Sequence, residues 1–507
     1  MKDPNETECA DIVIIGAGVS GIGASRQLTA EFPDKKILIL EARASIGGTW
    51  DLFRYPGVRS DSDLHTYAYD FKPWRHRSAI AEAPLIREYL DETVTEFGLD
   101  RILRLGHRVT AADWSSAEAR WTLQVTVTDD AGAERPKTVK AGFVFSATGY
   151  YRYDQGYTPH FEGRDVFAGD ILHPQQWPEG YDYSGKRVVI IGSGATAVTM
   201  LPAMLVGEGA AAHVTMLQRT PSYIASAPRV DNIALKLTKV LGPTRGYAAT
   251  RLKNVWQDYL LVTVLSKFPT FGRKLLRKLA LKELPAGFDV DTHFNPPYDP
   301  WDQRLCVTPD GEFFKALRDG TADVVTGHIE RFTEKGILLK SGRTLEADVI
   351  VTATGLVMQL LGGIRPTVDG VPVKIPETVL YRGTLISGVP NWAMMLGYTK
   401  ASWTLRLSNV CRLIIDVLRH MDATGDEIVV PVAPENLATQ DVVDLSAGYM
   451  QRALAELPRQ GTGLPWRMHT TFVKDNRLFK GRLIDESLRF SARTADVSGL
   501  TGVGAGS

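Results

Sequence analysis

A glycine-rich turn near the start of the chain has the spacing that binding of a dinucleotide requires. Residues 16–21 read G-x-G-x-x-G, between an apolar stretch typical of a buried strand and a pattern typical of a helix. Gly16 permits a tight turn, Gly18 lets the backbone approach a pyrophosphate, and Gly21 allows the helix to pack closely. Glu41, twenty positions after Gly21, can accept hydrogen bonds from ribose hydroxyls. The first predicted dinucleotide site comprises Gly16, Ala17, Gly18, Gly21 and Glu41.

A second glycine-rich turn has the related form G-x-G-x-x-A over residues 192–197. The strand predicted after it ends in Gln218-Arg219-Thr220 rather than in an acidic residue. A carboxylate at that place would repel a 2′-phosphate, whereas Arg219 would attract it, so NADPH is favoured over NADH. The alternative is that Arg219 is an ordinary surface arginine. The second predicted site comprises Gly192, Ser193, Gly194, Ala195, Thr196, Arg219 and Thr220.

The two turns lie in units that have the same order of elements. Residues 11–40 are predicted to form a strand, a helix and a strand, and residues 186–217 repeat this order. Such units pack as a parallel sheet with helices on its faces. The sequence therefore predicts an α/β fold with two dinucleotide-binding Rossmann-like domains.

Apolar strands that end in Ala-Thr-Gly, at 144–149 and 349–355, mark the predicted crossings between the domains. A strand predicted at 392–396 and a helix at about 402–419 return the chain to the first domain, which is therefore discontinuous. The predicted division is 1–150 for the start of the first domain, 151–184 for a linker, 185–350 for the second domain, 351–430 for the return to the first domain, and 431–507 for a C-terminal segment.

A basic helical insertion interrupts the second domain at about 233–284. It contains eleven Lys or Arg residues against only Asp258 and Glu283. The simpler interpretation is a helical cap with a solvated outer face. The alternative, which stays open, is a weak peripheral contact with a membrane.

Composition excludes several other classes of protein. The chain of 507 residues has 58 Lys plus Arg and 58 Asp plus Glu, so no overall charge attracts it to nucleic acid. Cys9, Cys306 and Cys411 form neither a C-x-x-C pair nor a metal-ligand spacing, so we expect no metal site and a reducing cytoplasm. No signal peptide or membrane span is expected. The sequence does not predict the oligomeric state.

Two longer motifs resemble the fingerprints of the Baeyer-Villiger monooxygenases. Residues 47–61 match [A/G]-G-x-W-x4-[F/Y]-P-[G/M]-x3-D at every specified position, and residues 167–178 match F-x-G-x3-H-x3-W-P. The resemblance covers nearly the whole chain and is strongest to a mycobacterial branch, through residues 300–306 and 397–404. It implies an enzyme that uses FAD, bound in the first domain, and NADPH, bound in the second.

The resemblance also implies which residues meet the flavin. In the family, an arginine at the position of Arg304 faces the flavin, and an acid at the position of Asp61 lies beside it. His173, within the shorter fingerprint, is interpreted as a linker residue rather than as a base. The implied contacts with FAD outside the glycine turn are Gly48, Thr49, Trp50, Asp61, Tyr67 and Val109.

The implied chemistry explains why an arginine is needed. Reduced flavin and O2 give a flavin C4a-peroxide, an anion that a permanent cation stabilises. Its attack on a ketone gives an ester or lactone, and thioethers are oxidised as well, so the expected partners are O2 and a small apolar ketone or thioether. Gln303 stands where many relatives have lysine, so Arg219 is expected to carry more of the preference for NADPH. The role of Lys400, where asparagine is expected, stays open.

Other functions compete with this interpretation. Flavin-containing N- or S-oxygenases share the two nucleotide units and the F-x-G-x3-H motif but usually lack Trp177-Pro178. A non-catalytic flavin redox sensor would not need Arg304. A disulfide reductase would need an adjacent pair of redox cysteines, which this sequence lacks.

Overall fold

Two β-sheets, one of eleven strands and one of five, form the framework of the described part of the chain. We describe them from a computed structural model over residues 7–443 and 446–493. The end of the predicted C-terminal segment, residues 494–507, lies outside the described residues.

The strands and helices are numbered in chain order. The strands are β1 (Glu8–Ile15), β2 (Ile37–Leu40), β3 (Leu103–Arg104), β4 (His107–Ser115), β5 (Arg120–Thr128), β6 (Glu134–Ser146), β7 (Asp170–Leu172), β8 (Arg187–Ile191), β9 (His213–Gln218), β10 (Ile224–Ala227), β11 (Cys306–Pro309), β12 (Ala322–Thr326), β13 (Ile329–Thr333), β14 (Gly336–Leu339), β15 (Thr344–Glu346), β16 (Val349–Thr352), β17 (Pro366–Val368), β18 (Val371–Pro372), β19 (Leu380–Tyr381), β20 (Leu385–Ile386), β21 (Trp392–Met394), β22 (Ile428–Pro431), β23 (Thr439–Asp441), β24 (Arg459–Gly461) and β25 (Leu488–Ser491). The α-helices are α1 (Val19–Glu31), α2 (Thr49–Leu52), α3 (Leu64–Tyr67), α4 (Ala83–Glu96), α5 (Ala195–Ala203), α6 (Asn232–Lys267), α7 (Pro269–Glu283), α8 (Val290–His293), α9 (Glu312–Arg318), α10 (Leu407–Thr424), α11 (Gly448–Ala453) and α12 (Phe472–Leu478). Short 3-10 helices span Leu99–Ile102, Arg164–Val166, Pro174–Gln176, Leu360–Gly363, Ile375–Glu377, Trp403–Leu405 and Leu454–Glu456.

The first sheet has the strand order β18-β17-β4-β5-β6-β1-β2-β3. β1 lies between β2 and β6, which both run parallel to it, and Gly16 follows its carboxyl end. β21 also pairs with β6 in parallel, so the chain returns to this sheet after the second sheet is complete. The predicted discontinuity of the first unit is confirmed.

The second sheet is parallel throughout and has the order β12-β9-β8-β16-β7. α5 follows β8 at the second glycine turn, and the insertion consists of α6 and α7. β7 belongs to the shorter fingerprint and pairs with β16 at the edge of the sheet. The fingerprint segment thus supplies an edge strand, which the sequence did not predict. The two sheets confirm the predicted α/β fold with two Rossmann-like units.

Both faces of β1 are buried, which explains its nearly continuous apolar sequence. Ile12 and Ile14 pack in a core that includes residues of α1 and α10. Val13 and Ile15 point to the other face and pack in a second core. A parallel strand that is covered on both faces carries apolar residues at successive positions rather than at alternate ones.

The helix predicted at about 402–419 begins and ends later than expected. A short 3-10 helix, Trp403–Leu405, precedes α10, which continues to Thr424. Gly425 ends the helix in the left-handed conformation, with φ of 76°, and donates its N–H to the Met421 carbonyl. Glycine adopts this conformation without the steric cost of a Cβ atom, so it stops the helix there.

Within the described residues, no helix combines the length and the hydropathy needed to cross a bilayer. α6 has 36 residues, but Gly242, with φ of 78°, interrupts its helical backbone. Pro243 follows at once and has no N–H to continue the helical hydrogen bonds across the break.

A fully buried ion pair joins α12 to the start of α10. Arg406 Nη1 donates to Asp475 Oδ2 at 2.5 Å, and neither side chain is more than 3% exposed. The Tyr398 hydroxyl donates to the same oxygen at 2.7 Å, and Arg406 Nη2 donates to the Arg382 carbonyl at 2.5 Å. The pair therefore fixes part of the C-terminal segment against the loop that carries Tyr398.

Replacing Asp475 with asparagine should destabilise the protein strongly, because Arg406 would keep its charge without a buried partner. We expect a loss of about 3–5 kcal/mol in the free energy of unfolding, measured by urea denaturation at pH 7. The matched control is Asp422→Asn, which removes the half-exposed partner of Lys35 and should cost no more than about 1 kcal/mol. Equal losses in the two variants would contradict the assigned importance of the buried pair.

Candidate active site

A large cavity opens between the carboxyl ends of the two sheets. Its volume of about 1510 Å³ exceeds the roughly 300–1,000 Å³ of an ordinary small-molecule pocket, so it can hold more than one ligand. Open parallel sheets bind their ligands at this edge. The predicted site residues that line it are Gly16, Gly18, Glu41, Gly48, Thr49, Trp50, Asp61, Tyr67, Val109, Gly192, Ser193, Gly194, Ala195, Thr196, Arg219, Thr220 and Arg304.

Ala17 and Gly21 lie behind the first glycine turn rather than on the wall of the cavity. A Cβ atom on Gly21 would lie 1.9 Å from the Gly16 carbonyl oxygen, so only glycine lets α1 pack this closely. Ala17 donates its N–H to Glu41 Oε2 at 2.7 Å. Both residues shape the turn, and their direct contact with a cofactor stays a prediction.

Glu41 is buried at the end of β2, with its carboxylate on the cavity. Its other oxygen, Oε1, accepts the Arg43 N–H at 2.9 Å. Burial raises the pKa of Glu41 above its usual value, although the N–H groups of Ala17 and Arg43 oppose this shift. Each carboxylate oxygen can accept a further hydrogen bond, so ribose hydroxyls have acceptors available here.

The second glycine turn is open toward the cavity and closed behind it. A Cβ atom on Gly192 would lie 2.3 Å from the Ala353 carbonyl oxygen, whereas one on Gly194 would meet nothing within 4 Å. Ser193 Oγ donates to the Thr220 carbonyl at 2.9 Å, which ties the turn to the end of β9. Arg219 beside it is exposed, and no carboxylate in the described part of the chain forms an ion pair with it. Its guanidinium is therefore available to an anion.

Arg304 lies where the walls formed by the two sheets meet. Its Nη1 is 3.8 Å from Asp61 Oδ2, and each side chain is 37% exposed. Its Nε is buried and has no hydrogen-bond partner among the described residues. Burial opposes its charge, but Tyr150, Tyr449 and Asp61 raise the pKa of Arg304 above its usual value. The side chain is a permanent cation with an unused donor.

The loop before Arg304 has a strained backbone. Trp301 has φ of 75°, a conformation that costs a non-glycine residue about 1–3 kcal/mol. The C-terminal segment holds this loop, because Ser446 donates its N–H at 2.9 Å and its hydroxyl at 3.0 Å to the Asp302 carbonyl. Strain of this kind persists where surrounding contacts fix the chain, here three residues before the arginine.

Asp51, which sequence reasoning missed, anchors the loop that carries Gly48 to Trp50. It is 1% exposed, and its carboxylate lies 2.6 Å from Arg43, 2.9 Å from Arg54 and 3.2 Å from Arg87. Burial would raise its pKa, but the hydrogen bond from Ser45 and the neighbouring arginines hold the pKa of Asp51 below its usual range. Only the i,i+3 spacing to Arg54 was visible in the sequence. The other partners come from separate elements.

Trp50 and Tyr67 contact each other on the wall of the cavity. The Trp50 indole N–H donates to the Tyr67 hydroxyl at 2.7 Å, and the two rings are arranged edge to face. Thr404, which precedes α10, donates its hydroxyl to the Tyr67 carbonyl. Burial raises the pKa of Tyr67, so its phenol stays neutral. Trp50 and Tyr67, both implied by the family resemblance, thus lie together in the structure. Their contact with FAD stays a prediction.

Arg251, on the insertion helix α6, holds the segment that contains Tyr67. Its Nη1 donates to the carbonyls of His65 at 3.0 Å, Thr66 at 3.1 Å and Ala68 at 2.8 Å. The carbonyls of His65 and Thr66 lie in the last turn of the short helix α3, where they have no partner within the helix, and Ala68 follows the helix. The Tyr247 hydroxyl adds a hydrogen bond to the Tyr69 carbonyl at 2.9 Å. The insertion therefore helps to position the cavity wall, a role that the sequence did not reveal.

A small apolar void of about 10 Å³, close to the volume that one water needs, adjoins Arg304 on the side of the C-terminal segment. Tyr150, Tyr398 and Trp403 separate it from the main cavity. Its apolar lining comes from four parts of the chain and comprises Met358, Leu360, Leu396, Val442, Val443, Met450 and Leu457. Arg304 thus has apolar packing on this side and the open main cavity on the other.

His173 does not line the main cavity. Its Nδ1 accepts the Gln175 N–H at 3.1 Å and so begins the 3-10 helix at Pro174. A Cβ atom on Gly156 would lie 1.9 Å from the imidazole ring, so the ring packs directly on the linker backbone. This position suits the linker role expected for His173 and offers it no contact with a ligand in the cavity.

Known proteins with similar sequences are flavin-dependent monooxygenases. A family model described as an NAD(P)-binding Rossmann-like domain matches residues 14–77. The chain is 47% identical to the FAD-containing monooxygenase EthA of Mycobacterium tuberculosis, over 97% of this chain and 99% of that relative. It is 45% identical to the probable FAD-binding monooxygenase AlmA of Acinetobacter baylyi, over 97% of this chain and 98% of that relative. The predicted resemblance to a mycobacterial branch is confirmed.

Solved structures with the same fold include two monooxygenases. An oxidized steroid monooxygenase bound to NADP matches with a TM-score of 0.73 at 21% identity, over 95% of this chain and 99% of that one. Cyclohexanone monooxygenase from Rhodococcus sp. Phi1, bound to NADP+, matches with a TM-score of 0.73 at 20% identity, over 96% of this chain and 100% of that one. At such identities the likeness concerns the fold.

Replacing Arg251 with methionine should loosen the wall that carries Tyr67. The loss of charged hydrogen bonds to three carbonyls should cost about 1.5–3 kcal/mol in the free energy of unfolding. It should also speed hydrogen exchange in residues 63–69, measured by mass spectrometry. Arg245→Met, at an exposed position on the same helix, is the control and should change neither quantity. Unchanged exchange in residues 63–69 of the Arg251 variant would refute the positioning role.

Proposed function

The chain belongs to the FAD-containing monooxygenases, and from this membership we propose that it uses NADPH and O2 to convert ketones to esters or lactones. Thioether oxidation is proposed as a second reaction at the same site. The observation that carries the proposal is the position of Arg304, beside Asp61, in a cavity that both glycine turns line. In the proposed reaction a ketone, O2, NADPH and a proton give an ester, water and NADP+.

The first glycine turn fits the pyrophosphate of FAD. A Cβ atom on Gly18 would meet only Gly48 within 4 Å, so the backbone on this side is open to a ligand. Glu41 would hold the ribose hydroxyls, and Trp50 and Tyr67 would border the flavin. Val109 contributes from β4 on the same wall. Bound FAD, reduced by NADPH, supplies the activation of O2.

The second glycine turn fits NADPH. The open space at Gly194 leaves the first N–H groups of α5 available to a pyrophosphate, as the N-terminus of a helix favours anions. Arg219 and Thr220 would take the 2′-phosphate, and no acid at the end of β9 opposes it. Gln303 lines the same cavity as a neutral amide. Arg219 therefore supplies the charge that distinguishes NADPH from NADH.

Arg304 would stabilise negative charge as it develops on the reacting oxygen atoms. Its charge is permanent, and its partly closed surroundings strengthen its electrostatic effect relative to bulk water. The 3.8 Å contact with Asp61 orients the guanidinium without neutralising it fully. Tyr150, Tyr398 and Trp403, which line the main cavity near Arg304, would border the substituents of the ketone and keep water away from the reacting atoms.

Products distinguish this proposal from an N- or S-oxygenase. The purified protein would be incubated with FAD, NADPH, O2 and linear, cyclic and aryl ketones together with a thioether, and the products identified by mass. Ester or lactone formation from any ketone supports the proposal. A sulfoxide without any ester across the panel would identify the protein as an N- or S-oxygenase. Failure to oxidise NADPH after FAD loading would identify it as a non-catalytic flavin protein.

Replacing Arg304 with alanine should separate the two halves of the reaction. FAD reduction by NADPH should continue, while ester formation should fall by at least about 100-fold because the charge on the reacting oxygen loses its cation. Stopped-flow absorbance measures the first quantity, and product analysis measures the second. Arg489→Ala, at an exposed position on β25, is the control. Ester formation retained in the Arg304 variant would overturn the role.

Reversing the charge at Arg219 should affect NADPH much more than NADH. Glutamate at this position would repel the 2′-phosphate, so the KM for NADPH should rise at least about tenfold relative to that for NADH. Steady-state kinetics with both nucleotides measures the ratio. Arg343→Glu, an exposed position elsewhere in the second domain, controls for the general change in charge. Equal changes for both nucleotides would rule out the assignment.

A further inference from the structure

The outer face of the insertion carries an apolar stripe where a solvated helix would carry charge. Leu252, Trp256, Leu260 and Val264 recur at every fourth position of α6 and are 60%, 45%, 55% and 39% exposed. Residues four apart lie on the same side of a helix, so these side chains form one continuous row. We call this row the outer stripe.

The stripe continues past the end of α6 and contains no exposed charge along its centre. Phe268 and Phe271 follow it and are 61% and 54% exposed. Between residues 254 and 266 the sequence has one charged residue, Asp258. That side chain is partly buried, and burial together with the nearby Asp63 raises the pKa of Asp258 to about 7. The exposed centre of the stripe is therefore apolar.

This concentration of exposed apolar residues is confined to the insertion. Thirteen of the eighteen large apolar residues that are exposed in the described part of the chain lie between Ile233 and Leu281. Scattered exposed apolar residues need no explanation, but a contiguous patch of them marks an interaction surface. The insertion is therefore more than a solvated cap.

Lysines border the stripe without acidic partners. Lys274, Lys278 and Lys282 are exposed and recur on one side of α7, and Lys267 is exposed at the end of α6. No carboxylate of the described residues is within ion-pair distance of these lysines. The insertion has eleven Lys or Arg residues against two acids in a chain whose net charge is zero. Lys253, Arg273 and Arg277 form ion pairs with acids outside the insertion. The exposed lysines therefore carry much of the unpaired positive charge of this surface.

We propose that the outer stripe and its bordering lysines form a docking surface for an anionic lipid bilayer. Aromatic and aliphatic side chains enter the boundary between headgroups and acyl chains, and lysines attract anionic headgroups. A second copy of the chain fits less well, because two identical basic surfaces would repel each other. An anionic bilayer would bury the apolar side chains of the surface and would also neutralise its lysines.

The inner side of the insertion links this surface to the candidate active site. Arg251 holds the end of α3, as described above. Arg273 on α7 donates from Nε to Asp299 at 2.7 Å and also reaches the carbonyls of Pro296 and Pro297, in the loop that leads to Arg304. The docked bilayer would therefore lie next to the loops of the cavity. Such a position would let apolar substrates pass from the lipid to the cavity, an idea that rests on the proposed function. Binding to the bilayer does not depend on that function.

Sedimentation with vesicles tests the docking surface directly. The FAD-loaded full-length protein is mixed, without substrate, with vesicles of phosphatidylcholine alone or with about 30 mol% phosphatidylglycerol at roughly 0.1 M salt. We expect partitioning into the anionic vesicles at least about tenfold stronger than into the neutral ones. No sedimentation with anionic vesicles would overturn the proposal.

Paired variants separate the apolar and the charged contributions. Trp256→Ser with Leu260→Ser, and separately Lys274→Glu with Lys278→Glu, should each lower partitioning at least about tenfold. The matched controls, Val206→Ser with Val371→Ser and Lys335→Glu with Lys340→Glu, alter exposed residues outside the insertion and should leave partitioning unchanged. FAD content and the thermal midpoint verify folding of each variant.

Two results would assign the surface differently. Partitioning that survives both insertion variants would overturn the docking surface. Sedimentation velocity would identify a dimer in solution, and a dimer that Trp256→Ser dissociates, without any vesicle binding, would make a second copy of the chain the partner.

Discussion

The walls formed by the two sheets meet at one permanent cation, Arg304, and several distant parts of the chain hold it in place. Because Arg304 keeps its proton, its position is one of the places in the cavity where negative charge can be stabilised. Its contact with Asp61 is 3.8 Å long and partly exposed, so it provides direction more than stability. The guanidinium depends instead on the loop before it, in which Trp301 is strained and Ser446 holds the Asp302 carbonyl.

The supports of this loop come from the insertion and from the C-terminal segment. Arg273 holds the chain upstream of Arg304, and Arg251 holds the end of α3 on the opposite wall. The buried pair of Arg406 and Asp475 fixes the C-terminal segment against α10. Elements that are distant in sequence therefore share the positioning of one site, and a change at the insertion reaches the cavity through its inner arginines.

The fold and the nucleotide sites were largely predictable from the sequence because their causes are local. A G-x-G-x-x-G turn between a strand and a helix needs its glycines for backbone geometry, as the 1.9 Å approach at Gly21 illustrates. Choosing Arg304 among the many arginines needed the family resemblance, since nothing in its own surroundings in the sequence distinguishes it. The roles of Asp51 and Arg251 could not be predicted, because their partners come from separate elements.

The sequence by itself determined the two Rossmann-like units, the discontinuous first domain and the two glycine turns. Periodic apolar residues and glycines act over a few positions, so their consequences can be inferred from spacing. Only the tertiary structure decided that the insertion has an inner side bound to the cavity walls and an outer side with an apolar, basic surface. Both sides share one composition, and the orientation of each side chain depends on packing against other elements, which for Arg251 are 185 and 186 positions away. Spacing along a helix gives its faces, but not which face is covered.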